Sequence, residues 1–346
     1  MSTQMAREIA EQPDVLHRTV EALLLRRDEL RHLAAERRHV LFVARGTSDN
    51  AATYGRYLVE VHTGLGAGLA APSLATHYHV DRDLSDTVVV AVSQSGSTEE
   101  IVDAQAWATH HGARTVAITN DADSQLAQSA DLALVTQAGR ERAVPATKSH
   151  TAQLAAIAVI ADALGPAHDR LEAELDLVPA AVEAVLRERT GVEDAVSALD
   201  HADARLVSGR GLTFATALEL ALKLEETCLE PVRGLSYADL RHGPIAVVDR
   251  DIATVLVAAR EGPMLAGMRG LVDDLVDLGS RTIAIGGDPA FRAAASVAVA
   301  GPDLPERVAP IGLIVPGQLI VESLARRLGL DPDAPRSLSK VTQTDP

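Results

Sequence analysis

Residues 88–100 read VVVAVSQSGSTEE, an apolar β-branched run that stops abruptly in hydroxyls and a glycine and then turns acidic. Five apolar residues without polar alternation predict a parallel strand covered on both faces. In a parallel sheet, ligands bind outside the carboxyl ends of the strands, which is where Ser93, Gln94, Ser95, Gly96, Ser97 and Thr98 fall. The hydroxyls can donate to phosphate oxygens, Gly96 lets backbone approach closely, and the following helix turns its first N–H groups toward an anion. A serine-rich helix cap with Glu100 in the first turn would use the same residues without any ligand.

The rest of the chain repeats this strand–turn–helix grammar. His39–Arg45 is a predicted strand broken by Gly46-Thr47-Ser48-Asp49, with a helix over 51–62. Further strands are expected near 69–75, 114–119 and 131–136, and beyond an apolar helix near 150–164 at 205–210, 252–258, 281–285 and 296–299. Alternating strands and helices predict α/β architecture with parallel sheets. Setting Arg45-Gly46 on Arg210-Gly211 aligns two strand–Arg–Gly–helix segments, so the chain is expected to carry an internal duplication. The expected organisation is a helical segment over 1–38, a first domain over 39–165, a charged helical bridge over 166–203, a second domain over 204–330 and a tail over 331–346.

Composition limits the partners. Aromatics make up only 2% of 346 residues, so Ala, Val, Leu and Ile must build the interior, and the net charge of −16 disfavours nucleic acid or an anionic membrane surface. The single cysteine, Cys228, rules out an internal disulfide and fits a reducing cytoplasm. Residues 1–14 lack an apolar signal core, and the best membrane-span candidate, 154–164, is short and contains Asp162. His77 and His79 flank Tyr78 without a nearby acidic or thiol partner, a poor metal site.

One helical stretch carries a second chemical pattern. Glu219, Lys223 and Glu226 are spaced four and three apart, so they share a helix face on which their charges interact. The apolar residues around them leave little exposed perimeter, and that face is expected to meet a cavity where a carboxylate can serve as a base. His242 stands in the turn Arg241-His242-Gly243-Pro244, and histidine is the residue type suited to moving a proton to or from a ring oxygen.

With these segments placed, the sequence resembles the sugar isomerase (SIS) family, in particular the isomerase half of glucosamine-6-phosphate synthase and its stand-alone deaminase relatives. The resemblance runs in order through RGTS at 45–48, SQSGST at 93–98, VPATK at 144–148, ALELALKLEE at 217–226, RHGP at 241–244 and LSKVT at 338–342. It implies two tandem SIS subdomains, each a parallel sheet flanked by helices, binding an amino-sugar 6-phosphate with no metal and no cofactor. It implies further that Ser93, Gln94, Ser95 and Thr98 hold the phosphate and that Thr47, Ser48 and Val144 line the sugar. Glu226 would shuttle a proton between C1 and C2 with Lys223 beside it, and Lys340 would close over the open-chain sugar. His242 would open the ring, reaching in from the neighbouring subunit of a homodimer.

Three departures bear on the reaction. No glutaminase domain is expected ahead of residue 40, position 97 is Ser where the synthase has Glu, and the ending LSKVTQT is closer to the deaminases. The expected activity is conversion of glucosamine 6-phosphate to fructose 6-phosphate and ammonia. Elimination of a C3 substituent from the same sugar or its N-acetyl form, as in a dehydratase or lyase, is the alternative enzymatic reading. A non-catalytic sugar-phosphate sensor is the third.

Overall fold

The computed structural model describes residues 2–340 and 343. Among these residues, ten strands form two all-parallel sheets of five: β1 (His39–Val43), β2 (Gly66–Leu69), β3 (Thr87–Val92), β4 (Arg114–Thr119) and β5 (Leu132–Val135) in one, and β6 (Ala204–Gly209), β7 (Val232–Ser236), β8 (Ile252–Ala258), β9 (Arg281–Gly286) and β10 (Val297–Val299) in the other. The orders are β2-β1-β3-β4-β5 and β7-β6-β8-β9-β10, so each sheet has the same topology. In both, the first and third strands are neighbours, which creates a switch point at their carboxyl ends.

The chain forms two compact units. The unit built on β1–β5 comprises Asp14–Glu141 and Lys148–Asp176, together with Ser339, Lys340 and Gln343 of the tail. Every residue of β3 is buried, as its unbroken apolar pattern requires. β1 pairs in register with β3 from His39↔Thr87 to Val43↔Ala91. The core on one face joins Val43, Val89, Ala91 and Ala117 to Ile101, Ala104 and Ala108 of the helix Glu99–His110. That helix ends at His111, whose Nδ1 lies 2.8 Å from the Trp107 carbonyl oxygen, in keeping with a histidine at the negative end of a helix. His77 and His79 are exposed, and no group of metal-holding side chains occurs among the described residues.

The unit built on β6–β10 takes in Leu177–Leu338, the N-terminal stretch ending at Pro13 and the loop Arg142–Thr147. Its core gathers Leu206, Leu256 and Ala284 with Met268, Leu271, Val272 and Leu275 of the helix Leu265–Asp277. The helices Val178–Glu188 and Val192–Asp200 pack on the long helix Ala309–Arg327. Gly46 and Gly211, set on one another by the internal repeat, each follow the first strand of their sheet with positive φ, 54° and 63°. A turn that reverses from strand to helix needs this left-handed backbone, which glycine adopts without strain.

Three elements depart from the sequence reading. The strand expected near 69–75 lies at 66–69, because Pro72 opens a short helix, Ser73–Thr76. β7 carries no apolar run: it is a five-residue edge strand, VRGLS, held by pairing with β6. The last helix, expected from Gly317, begins at Ala309 and runs through Pro316. Its apolar surroundings hold a helix there that proline propensity argues against. No helix among the described residues is long and apolar enough to cross a membrane.

Candidate active site

In the β1–β5 unit, the turn after β3 forms a cup of hydroxyls and backbone. The Ser93 N–H donates to the Ile118 carbonyl (3.0 Å), and its Oγ accepts from the Gly96 N–H (3.2 Å) and lies 3.4 Å from Thr98 Oγ1. Gly96 has φ +62°, and a Cβ there would sit 2.2 Å from Ser124 Oγ, so only glycine fits this tight turn. Ser95 Oγ accepts from both the backbone (3.3 Å) and the hydroxyl (3.0 Å) of Ser97. The Gln94 carbonyl accepts from the Asn120 N–H (3.0 Å), fixing the loop to the next strand's end. Thr98 is the N-cap of the helix Glu99–His110, yet its side chain makes no capping bond. The hydroxyl that would ordinarily satisfy the helix N-terminus is therefore directed elsewhere.

Beside this cup, the turn after β1 presents Thr47 and Ser48, both half-buried. Ser48 Oγ accepts from Gln153 Nε2 at 3.0 Å, so a buried amide on the helix Lys148–Leu164 sets the hydroxyl's direction. Sequence reasoning did not single out Gln153; its signal was a polar side chain directly before the apolar run 154–161.

The tail also docks on this unit. Lys340 Nζ donates to Glu141 Oε2 at 2.6 Å, and the same carboxylate accepts from the Ser149 hydroxyl (2.6 Å) and N–H (3.1 Å). Gln343 accepts from the Glu99 N–H (3.1 Å) and donates to the Ser97 carbonyl (3.2 Å). The tail thus reaches the edge of the hydroxyl cup. Residues 341 and 342 of the LSKVT motif lie outside the described residues.

In the β6–β10 unit, the helix Phe214–Cys228 carries the charged face. Glu219 and Lys223 are fully buried, with Lys223 Nζ 3.5 Å from Glu219 Oε1 and in a short contact with Glu226. Burial pushes the Lys223 ammonium down, but the Glu219 and Glu226 carboxylates outweigh it and hold its pKa above that of an ordinary lysine. Glu226, about a quarter exposed, is the member of the cluster open to solvent. The arrangement is a permanent cation with one enclosed and one accessible carboxylate, chemistry suited to moving a proton while stabilising negative charge on oxygen.

His242 caps the short helix Tyr237–Arg241 and is exposed, its N–H shared between the Ala238 (3.1 Å) and Asp239 (3.2 Å) carbonyls. No hydrogen bond or ion pair joins it to Glu226 among the described residues. Val144, in the loop Arg142–Thr147 of the same unit, is held by its N–H donating to the Asp333 carbonyl at 2.9 Å. Cys228 is buried, which drives its thiol pKa up to about 12 and leaves it inert.

Comparison with known proteins finds relatives with this fold. The SIS domain family matches residues 32–163. The chain is 31% identical over 344 residues to the isomerizing glutamine–fructose-6-phosphate aminotransferase of Aquifex aeolicus (strain VF5), covering 99% of this chain and 58% of that protein. It therefore spans a little over half of that relative's length. Among solved structures, the C-terminal domain of glucosamine-fructose-6-phosphate aminotransferase from Francisella tularensis superposes with TM-score 0.88 at 26% identity, over 97% of this chain and 98% of that one. A protein described as a phosphosugar isomerase from Silicibacter pomeroyi DSS-3 does so with TM-score 0.87 at 30% identity, over 96% of this chain and 100% of its own. With two parallel sheets of one topology and a hydroxyl cup at the switch point of the first, this chain belongs to the SIS family.

Proposed function

We propose that the protein is a sugar-phosphate enzyme that converts glucosamine 6-phosphate and water to fructose 6-phosphate and ammonia. The observation that carries this reading is the Glu219–Lys223–Glu226 cluster, a buried lysine between one enclosed and one accessible carboxylate, because a sensor has no need of it. In the proposed sequence His242 assists ring opening, with the protein a homodimer in which it completes the partner's site. Glu226 takes the proton from C2 of the open-chain sugar and delivers it to C1, while Lys223 balances the charge that develops on oxygen. The resulting C2 imine is hydrolysed by water, releasing ammonia and leaving the ketose. Ser93, Gln94, Ser95 and Thr98 hold the 6-phosphate, Thr47, Ser48 and Val144 line the sugar, and Lys340 orders the tail over it.

The relatives support the substrate class, since the names of those cited refer to fructose 6-phosphate, to glucosamine and to a phosphosugar. Incubating the purified protein with glucosamine 6-phosphate and with its N-acetyl form, and assaying ammonia, ketose and dehydrated sugar, tests the reading. Stoichiometric ammonia and fructose 6-phosphate from the free amine are expected. A dehydrated product without ammonia would replace it with C3 elimination, and binding without turnover would make the chain a sensor.

A further inference from the structure

The hydroxyl cup poses an electrostatic problem. A phosphate dianion seated there would lie by the first turn of the helix Glu99–His110, which carries the buried carboxylate of Glu100 as well as Glu99. Residues 93–98 contain no lysine or arginine, and the chain as a whole is strongly acidic. A buried carboxylate beside a phosphate costs binding unless a cation cancels it.

Arg45 is that cation. It sits at the carboxyl end of β1, directly before the Gly46-Thr47-Ser48 turn, and grips Glu100 with a two-pronged contact: Nη2 to Oε1 at 2.6 Å and Nε to Oε2 at 3.0 Å. The pair bridges the ends of β1 and β3, the two strands that flank the switch point. The fork geometry matches a carboxylate in a way that a point-charge ammonium does not. The guanidinium also acts electrostatically on Asp49, in the first turn of the helix Thr47–Thr63. Burial raises the Asp49 pKa and the charge of Arg45 opposes that rise. The position aligned with Arg45 by the internal repeat, Arg210, instead stacks 4.5 Å over the ring of Tyr237. Of the two copies, the one that masks a carboxylate is the one beside the hydroxyl cup.

We propose that Arg45 is a positioning residue that neutralises Glu100 and ties the β1 turn to the β3 loop, and so allows the 93–98 cup to accept a phosphate ester. This rests on the reading of that loop as the phosphate seat. Arg45 then acts through Glu100, and its removal exposes the phosphate to a buried negative charge.

The test is calorimetric titration of the full chain with inorganic phosphate and with fructose 6-phosphate, the product that carries the same phosphate ester, on native protein, Arg45→Ala, Glu100→Gln and the double variant, each checked by thermal melting. Arg45→Ala is expected to weaken both ligands roughly ten- to a hundred-fold, from one unscreened charge nearby. The double variant, which removes the carboxylate too, is expected to recover most of that loss. Unaltered affinity in Arg45→Ala overturns the proposal, and so does a double variant as weak as the single, which would mean direct contact between Arg45 and phosphate. Should Arg45→Ala fail to fold, Glu100→Gln decides alone: binding equal to native or tighter supports the mask, and weaker binding overturns it. If the expected pattern appears with inorganic phosphate but the amino sugar is not turned over, the mask stands and the proposed reaction falls. If native protein binds neither ligand, both fall.

Discussion

Lys223 shows how one residue can make a helix face chemical. A lysine with no exposed surface is costly to keep charged, yet here two carboxylates on adjacent turns keep its proton in place. Removing the Glu226 carboxylate while keeping its volume separates chemistry from binding. Glu226→Gln is expected to lower kcat by about 10²–10⁴-fold with KM little changed, because general-base catalysis is typically worth that much. It should also abolish exchange of the substrate's C2 proton with solvent deuterium, followed by proton NMR. Exchange at the native rate in the variant would move the base to another carboxylate, with Glu219 or Glu141 next to test. The i, i+4, i+7 spacing was legible in the sequence because a helix face is a local pattern. The partners of Lys340 and Arg45 were not, because an ion pair between residues far apart in sequence leaves no periodic trace.

Among the elements, β3 and its loop were the most legible, since a buried parallel strand and a glycine-broken hydroxyl turn both write themselves in a few consecutive residues. Edge strands were the least: β2 is GAGL and β7 is VRGLS, and each is a strand because a neighbour supplies its pairing. The proline-containing first half of Ala309–Arg327 was hidden for the same reason, its helix being imposed by burial. The β3 loop carries a direct prediction. Replacing Ser95 and Thr98 together by Ala removes two of the hydroxyls that ring the cup, while the Gly96 turn and the Ser93 contacts to Gly96 and Ile118 remain. KM for a 6-phosphorylated substrate should rise roughly tenfold or more, the scale of lost hydrogen bonds to a charged group. Steady-state kinetics showing an unchanged KM would refute the phosphate seat.

At the scale of the molecule, the two sheets share one strand order, and the Arg–Gly turn recurs at the first strand of each, so the chain reads as a duplicated fold whose copies have diverged in chemistry. The cup lies on one copy and the buried charge cluster on the other. The β6–β10 unit is also closed by distant pieces of chain. Asp333 accepts from the N–H groups of Gln4 (2.8 Å) and Met5 (2.7 Å), while its own carbonyl accepts from Val144. Glu8, one turn further along, accepts from the N–H groups of Arg142 (2.5 Å) and Ala143 (3.2 Å). The Glu8 carboxylate, on the first helix, and the Asp333 carbonyl, near the end of the chain, thus hold the loop that presents Val144. Thr3 already caps the helix Gln4–Ala10 through the Ala6 N–H, so Asp333 satisfies helix-start donors that Thr3 does not reach. Asp333→Ala leaves those two N–H groups without their acceptor and is expected to cost about 1–2 kcal/mol, in the range of a lost helix cap. In a thermal melt this corresponds to a fall of several degrees. Asp333→Asn retains one oxygen acceptor and should lose roughly half as much. Because the Val144 contact uses the Asp333 backbone, KM should move far less in either variant than in the Ser95 and Thr98 pair. A melting temperature unchanged in Asp333→Ala would show that the N-terminal helix is held by its apolar face, Met5 and Ile9, and not by this carboxylate.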